Sequence, residues 1–237
     1  MRQIHKTVSS TVVVLAVAAL MSTVVAASAS AALPEYATTK WPIAFTFKNA
    51  SGVEPVLAAS ILEYKIVCKA SQGKGEFDAF KGEVYNHVVF TYTGCREQGV
   101  TPEQKCTTSG QSAGEVVTNR LKGTIGYAEG RTGKEVGLEL KPESGSTIAE
   151  FTCGGQAGKV LVAGCTIGEA TPLNVVQTTA NVIFAEGASG KQKWNKLEGV
   201  SGSCILTVTS GLLKIKGTGW LIDNELETFS EAIELKA

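Results

Sequence analysis

The amino-acid sequence predicts an all-β protein: an antiparallel β-sandwich or barrel of about ten short strands, stapled by disulfides. Three observations predict it. Apolar residues recur mainly at every second position. Glycine-rich turn signals break these runs at short intervals. Six cysteines, an even number, all follow an N-terminal leader of the kind that marks a chain for export.

The leader, MRQIHKTVSSTVVVLAVAALMSTVVAASASAALPEY, opens on Arg2 and Lys6 and continues apolar over 12–27. It closes on small residues, with Ala29-Ser30-Ala31 matching the A-x-A cleavage pattern. A basic head, an apolar middle and a small-residue end make a secretory signal peptide, here residues 1–31. The competing reading is a membrane anchor, but Ser22 and Thr23 interrupt its apolar core and a cleavable end follows. No second long apolar segment is present, so no stable membrane insertion is expected after cleavage. Loss of Arg2 and Lys6 leaves 20 basic against 22 acidic residues, a net charge of −2. That balance offers no basic stripe for nucleic acid and no polybasic membrane patch. Residues 32–237 suffice for a single β-rich extracellular domain. A sub-boundary near 170–178 is the alternative, since Pro172 falls there and the alternation lapses.

The strands are read from period-2 runs. YNHVVFTYTG puts Val88, Phe90 and Tyr92 on one face and His87, Val89 and Thr91 on the other. KEVGLELKP sets Val136, Leu138 and Leu140 against a wet face of Glu135, Gly137, Glu139 and Lys141. VTNRLKGTIGY sets Leu121, Ile125 and Tyr127 against Arg120, Lys122 and Thr124. SGLLKIKGTG sets Leu213 and Ile215 against Lys214 and Lys216. Over 52–69, Val53, Val56, Leu57, Ile61 and Tyr64 fit helical spacing, but Leu62, Tyr64, Ile66 and Cys68 alternate, which favours a strand. Gly73-Lys74-Gly75, Gly130-Arg131-Thr132-Gly133 and Gly154-Gly155 read as turns.

Cys68, Cys95, Cys106, Cys153, Cys165 and Cys204 read as a disulfide framework in an oxidising compartment. Zinc and redox motifs want C-x-x-C spacing, and the closest pair is Cys95 and Cys106. Cys95 follows a strand and Cys106 opens the next polar stretch. Cys68 and Cys153 share faces with apolar neighbours. Cys165 is in phase with Ile167, and Cys204 with Leu206. The expected pairs are therefore Cys95–Cys106, Cys68–Cys153 and Cys165–Cys204, one of fifteen possible connectivities.

The phrases VVFTYTGC, GEVVTNRLKGTIGY, EVGLELKPESGSTIAEFTCGG and GCTIGEATPLN resemble a family of exported, Gly/Thr-rich proteins of soil actinobacteria. The resemblance spans most of the exported chain. It implies secretion and a β-rich fold and supplies no active-site residue.

Catalytic residue types are sparse. After the leader, His87 is the one histidine, set in a strand, and Asp78 and Asp223 are the two aspartates. A Ser-His-Asp triad, a G-x-S-x-G elbow, a phosphate-cradling glycine loop and a calcium loop find no matching pattern, and no cofactor or metal is expected. Paired glutamates remain as the enzyme reading, with Glu135 and Glu139 on one strand face and Glu150 nearby. Trp194, among Lys, Gln and Asn, is a candidate exposed indole for a sugar ring or an apolar partner surface; otherwise it folds back over the core edge. Trp220 is expected in the core, and Trp41 either pins the first strand or stays exposed. The expectation is a secreted, non-catalytic extracellular or cell-surface module with a binding or structural role, a glycan or protein at the cell surface being the partner class. The alternative is a secreted carbohydrate-active enzyme that uses paired glutamates.

Overall fold

The computed structural model describes residues 33–60, 65–77, 84–130, 135–188, 190–211 and 215–237. The leader call on residues 1–31 lies outside them. Every regular element among the described residues is a strand: β1 (Glu35–Ala37), β2 (Ile43–Asn49), β3 (Val56–Ala59), β4 (Lys65–Val67), β5 (Ala70–Phe77), β6 (Val84–Thr93), β7 (Arg96–Gln98), β8 (Gln104–Thr107), β9 (Val116–Val117), β10 (Leu121–Ala128), β11 (Val136–Pro142), β12 (Thr147–Cys153), β13 (Lys159–Gly164), β14 (Thr166–Thr171), β15 (Val176–Phe184), β16 (Leu197–Glu198), β17 (Leu206–Ser210) and β18 (Ile215–Lys236).

Eight of these close a ring of antiparallel pairs in the order β2, β5, β6, β10, β11, β14, β15, β18 and back to β2. This is an up-and-down barrel, which leaves no edge unpaired. Seven of the remaining strands and the start of β18 follow the same order one level higher: β3, β4, β7, β8, β12, β13, β17 and β18; the other three, β1, β9 and β16, pair with the ring strands β18, β6 and β10. The chain thus makes four long hairpins, each crossing both levels. β18 does so without a break, pairing with β3 over Gly219–Ile222 and with β2 over Glu225–Phe229. About ten strands were expected. The larger number arises because most limbs are interrupted where the two levels meet. On either side of residues 172–175, β14 and β15 are neighbours in the ring.

The alternation read from sequence sets the interior. Ile43, Phe45 and Phe47 point inward from β2 and are buried, with Ala44, Thr46 and Lys48 exposed between them. Val88 and Phe90, Leu121, Ile125 and Tyr127, and Val136, Leu138 and Leu140 are likewise buried. His87 breaks the phase of β6. Its φ of 53° and the adjacent register shift form a bulge, so Tyr85 and Val88 both face inward while His87 faces out to Glu143.

One turn reading and one strand reading change. Gly73 and Gly75 lie inside β5, where a Cβ would stand 2.9 Å from the Phe90 ring and 2.5 Å from the Phe45 ring. These glycines give aromatic side chains room across the barrel rather than bending the chain. Over 52–69, β3 and β4 replace the single strand expected, and Leu62 and Tyr64 fall outside the described residues. So does Leu213, and Ile215 is exposed rather than core-facing.

The wet face of β11 is also corrected. Gly137 and Glu139 are buried, because residues 185–205 fold over the outer surface of β11 and β14. There Ile167, Leu197 and Cys204 form a second small cluster, with Trp194 and Val200 against it.

Cysteine pairing differs from expectation in two of three bonds. The disulfides are Cys68–Cys95, Cys106–Cys153 and Cys165–Cys204. The expected Cys95–Cys106 and Cys68–Cys153 bonds are not made. Cys68, Cys95, Cys106 and Cys153 stand in a row across four adjacent limbs. The register of β4 with β7 and of β5 with β6 brings Cys68 opposite Cys95; Cys106 N–H donates to the Cys95 carbonyl; and Cys106 is paired in register with Cys153. At ~4.8 Å per strand the ends of the row are about 14 Å apart. A disulfide spans Cα atoms no more than about 7 Å apart. Bonding the middle two would strand the outer two, so the row pairs from its ends. Each disulfide joins the descending limb of one hairpin to the ascending limb of the next.

Candidate functional site

The barrel interior has three zones. The lower end is filled by rings. Tyr36, carried in by β1, and Phe45, Phe77, Tyr85 and Phe229 pack with centroids 4.4–6.1 Å apart. Trp41 is half-buried at their edge, 6.3 Å from Phe77.

Above the rings, β18 turns a ladder of carboxyls inward: Asp223, Glu225 and Glu227, each no more than 1% exposed. Every second residue of a strand shares a face, so these acids continue the face of Leu221 and Phe229. A relay runs from the Tyr36 hydroxyl to Tyr85, 2.5 Å, and from Tyr85 to Glu227 Oε2, 3.1 Å. The Ser71 hydroxyl donates to Glu225 Oε1, and Ser71 N–H donates to Asn49 Oδ1, 3.1 Å. Asp223 Oδ1 accepts the Asn224 N–H.

Burial disfavours charge on all three acids. It raises Asp223 to about 6, with hydrogen bonds from its neighbours pulling it back. Burial, then the Asp223 charge, raises Glu225 to about 9. Glu227 is held well above the ordinary carboxyl range by burial, partly offset by the Tyr85 hydrogen bond. At neutral pH Glu225 therefore holds a proton and Asp223 carries the charge of the pair. Asp223 and Glu225 hydrogen-bond to one another, so the pair shares a proton. Among the described residues, no lysine, arginine or histidine pairs with any of the three; the ion pairs all involve other carboxylates.

The third zone is a cavity of about 80 Å³ where the two levels meet, walled almost wholly by apolar atoms. All four hairpins contribute: Leu57 and Ile66, Phe90 and Tyr92, Leu140 and Phe151, and Phe184, Leu206 and Leu221. Asp223, Glu225 and Glu227 are not among the residues that line it. Asp223 is paired in register with Phe184 and lies two residues from Leu221, both wall residues. At the upper end the 154–158 turn is clamped. Ala157 N–H donates to buried Glu97, 3.0 Å, and the Ser210 hydroxyl donates to the Ala157 carbonyl, 2.9 Å.

The residues singled out from sequence lie elsewhere. Glu139 is buried beneath the 185–205 segment and pairs with Lys141, 2.9 Å. Glu150 is exposed and pairs with Lys159, 2.9 Å. The two sit in different surroundings, one buried and one exposed. Trp194 is half-buried against the outer cluster, with Lys193 Nζ 4.5 Å over its ring. Trp220 is buried, as expected. Glu139 also lies close to Cys165 and Cys204, a grouping with metal-ligand chemistry. Both sulfurs are joined in a disulfide, so neither offers the thiolate a metal needs.

Sequence reading missed Asp223, Glu225 and Glu227 because acids alternating in a strand ordinarily mark a wet face. The signal lay in the phase of WLIDNELETF: Leu221 and Phe229 flank the acids on their own face, while Leu226, on the opposite face, is exposed.

Compared with known proteins, the chain matches no family model, no curated protein and no solved structure. The arguments about its function therefore rest on its own geometry. Three disulfides suggest an oxidising, extracellular setting, and no helix among the described residues is long and apolar enough to cross a membrane.

Proposed function

We propose that the chain is a secreted, non-catalytic β module whose role is binding, and that its binding site is the cavity inside the barrel. The observation that carries this reading is the cavity itself, apolar and walled by all four hairpins. Apolar chambers in proteins stay dry and take up small apolar guests, and barrel interiors are common ligand sites. The leader read from the sequence and the three disulfides support export.

Xenon, a small apolar probe, tests the site. In methyl NMR under xenon pressure, Leu140, Leu206 and Leu221 are expected to shift saturably, with lower-barrel methyls unmoved. Absence of saturable shifts at these leucines overturns the cavity as a binding site. Export is tested separately by N-terminal sequencing of protein from culture medium, which is expected to begin at Ala32.

A further inference from the structure

We propose that His87 and Glu76 bind a divalent transition-metal ion, zinc or copper in class, between His87 Nε2 and a Glu76 carboxylate oxygen on the outer face of the barrel. The site is independent of the cavity and adds a second binding chemistry to the chain.

The first support is how His87 is held. It stands at the bulge of β6 with a φ of 53°, which residues other than glycine seldom adopt. Glu143, just past β11, grips it twice. Its Oε1 accepts the His87 backbone N–H at 2.7 Å and lies 2.9 Å from Nδ1. Glu143 is itself anchored, since its N–H donates to the Arg120 carbonyl, 3.0 Å. An ionised carboxylate only accepts, so Nδ1 carries the proton. The neutral ring then keeps its lone pair at Nε2. Metal-binding histidines are ordinarily supported in this way, by a carboxylate on the other ring nitrogen that sets tautomer and ring direction.

The second is what stands beside Nε2. Glu76 Oε1, on the adjacent strand β5, is 3.7 Å away. Two electron-pair donors are thus set side by side, too far apart for a direct hydrogen bond. A cation between them removes their mutual repulsion. An ion with ligand bonds of about 2.0–2.2 Å touches both atoms when they lie about 3–4 Å apart. One imidazole nitrogen and one carboxylate oxygen suit zinc or copper, whereas calcium and magnesium take oxygen ligands. The His87 and Glu76 side chains are 52% and 43% exposed, so an ion has a way in and its remaining positions face solvent. The two ligands meet only through the pairing of β5 with β6, which is why no spacing motif marks them. The rival cation is a proton on Nε2, and the test separates the two.

The test is a zinc titration of the exported protein at pH 7, followed by nitrogen-15 NMR of the imidazole. His87 is the one histidine beyond residue 31, so its ring signals stand alone. Zinc is expected to shift Nε2 saturably while Nδ1 keeps its proton, and calcium or magnesium at the same concentration is expected to move neither. An unmoved Nε2, a response at Nδ1 instead, or an equal response to calcium overturns the site. Signals that follow pH and ignore zinc assign the position to a proton and overturn it as well. Glu143→Gln is expected to weaken zinc about ten-fold through lost ring orientation, and Glu76→Gln by more. Unchanged affinity in Glu76→Gln overturns the pairing of the two ligands, and unchanged affinity in Glu143→Gln overturns its positioning role. If either variant does not fold, the nitrogen shifts of the unaltered protein decide alone.

Discussion

The lower and upper levels of this barrel share one ring order and one closing strand, yet they are held together differently. Below, β2, β5, β6, β10, β11 and β15 run for seven to ten residues, and the interior is packed with rings. Above, the strands run for three to seven residues around a chamber, with β3, β4, β7 and β8 at only three or four. All three disulfides lie in the upper level or where it joins the lower; none lies among the rings. Short strands around a void gain little from pairing and burial. Covalent links offset that by restricting the unfolded chain. The contrast teaches that a barrel can stay hollow where its wall is stitched.

Breaking a stitch gives the largest effect. Cys106–Cys153 closes a separation of 47 residues, for which loop-closure entropy gives about 4 kcal/mol. The Cys106→Ala, Cys153→Ala double variant should lose about that much in urea-midpoint measurements. Hydrogen exchange should quicken in β8 and β12 before β2 and β5. Uniform quickening would mean the two levels do not differ in their source of stability.

The filled level is sharpened by the smallest possible insertion. At Gly75 an added Cβ would stand 2.5 Å from the Phe45 ring and 3.0 Å from the Asn86 carbonyl. Gly→Ala ordinarily gains about 0.4–1 kcal/mol by restricting the unfolded chain, and overpacking loses about 1–3 kcal/mol. The clash outweighs the entropy, so Gly75→Ala should lower stability by about 2 kcal/mol. A variant as stable as the parent would show that the rings have room to move.

The boundary between the levels should respond to pH. Glu225 sits near 9 in the folded chain against an ordinary 4.5. The folded state therefore keeps a proton that the unfolded state releases as pH climbs through the ordinary carboxyl range. Stability is full below that range and declines until pH reaches about 9, by up to about 1.4 kcal/mol per pH unit for each proton so retained. Asp223 and Glu227 act in the same direction. Urea midpoints at pH 5, 7 and 9 should fall in that order, and Glu225→Gln should flatten the slope. A midpoint that rises with pH would mean the ladder is ionised in the folded chain.

How much of this could be read from sequence follows from the range of the forces involved. Alternation is local, so the inward faces of β6, β10 and β11 were legible from Phe90, Ile125 and Leu138. The even cysteine count pointed correctly to disulfides. What depended on distant chain was not legible. Glu139 looked wet because the segment that covers it lies some fifty residues on. Gly73 and Gly75 looked like a turn because the rings that need their space come from β2 and β6. Cys95 and Cys106 do sit side by side, as their spacing suggested. Their bonding was decided by Cys68 and Cys153, which only the register of neighbouring hairpins brings alongside. The acid ladder was missed for a related reason: the phase of β18 is set over twenty-two residues, and a short window containing Asp223, Glu225 and Glu227 points the wrong way.

The smallest effect should come from filling the void. Ala149 is buried, lies on β12 and lines the cavity. Ala149→Val adds two carbons where the chamber has about 80 Å³ to receive them, and valine suits a strand. Each buried methylene contributes about 0.8 kcal/mol. Part of that is lost to imperfect fit, so a gain of about 1 kcal/mol is expected in the urea midpoint. The sign is what matters: adding carbon should stabilise the hollow level, whereas adding it at Gly75 destabilises the filled one. The same variant should weaken xenon binding, since xenon needs the space the valine takes. Stabilisation without loss of probe binding would place the guest elsewhere in the barrel, and destabilisation would show that the wall closes on the void rather than holding it open.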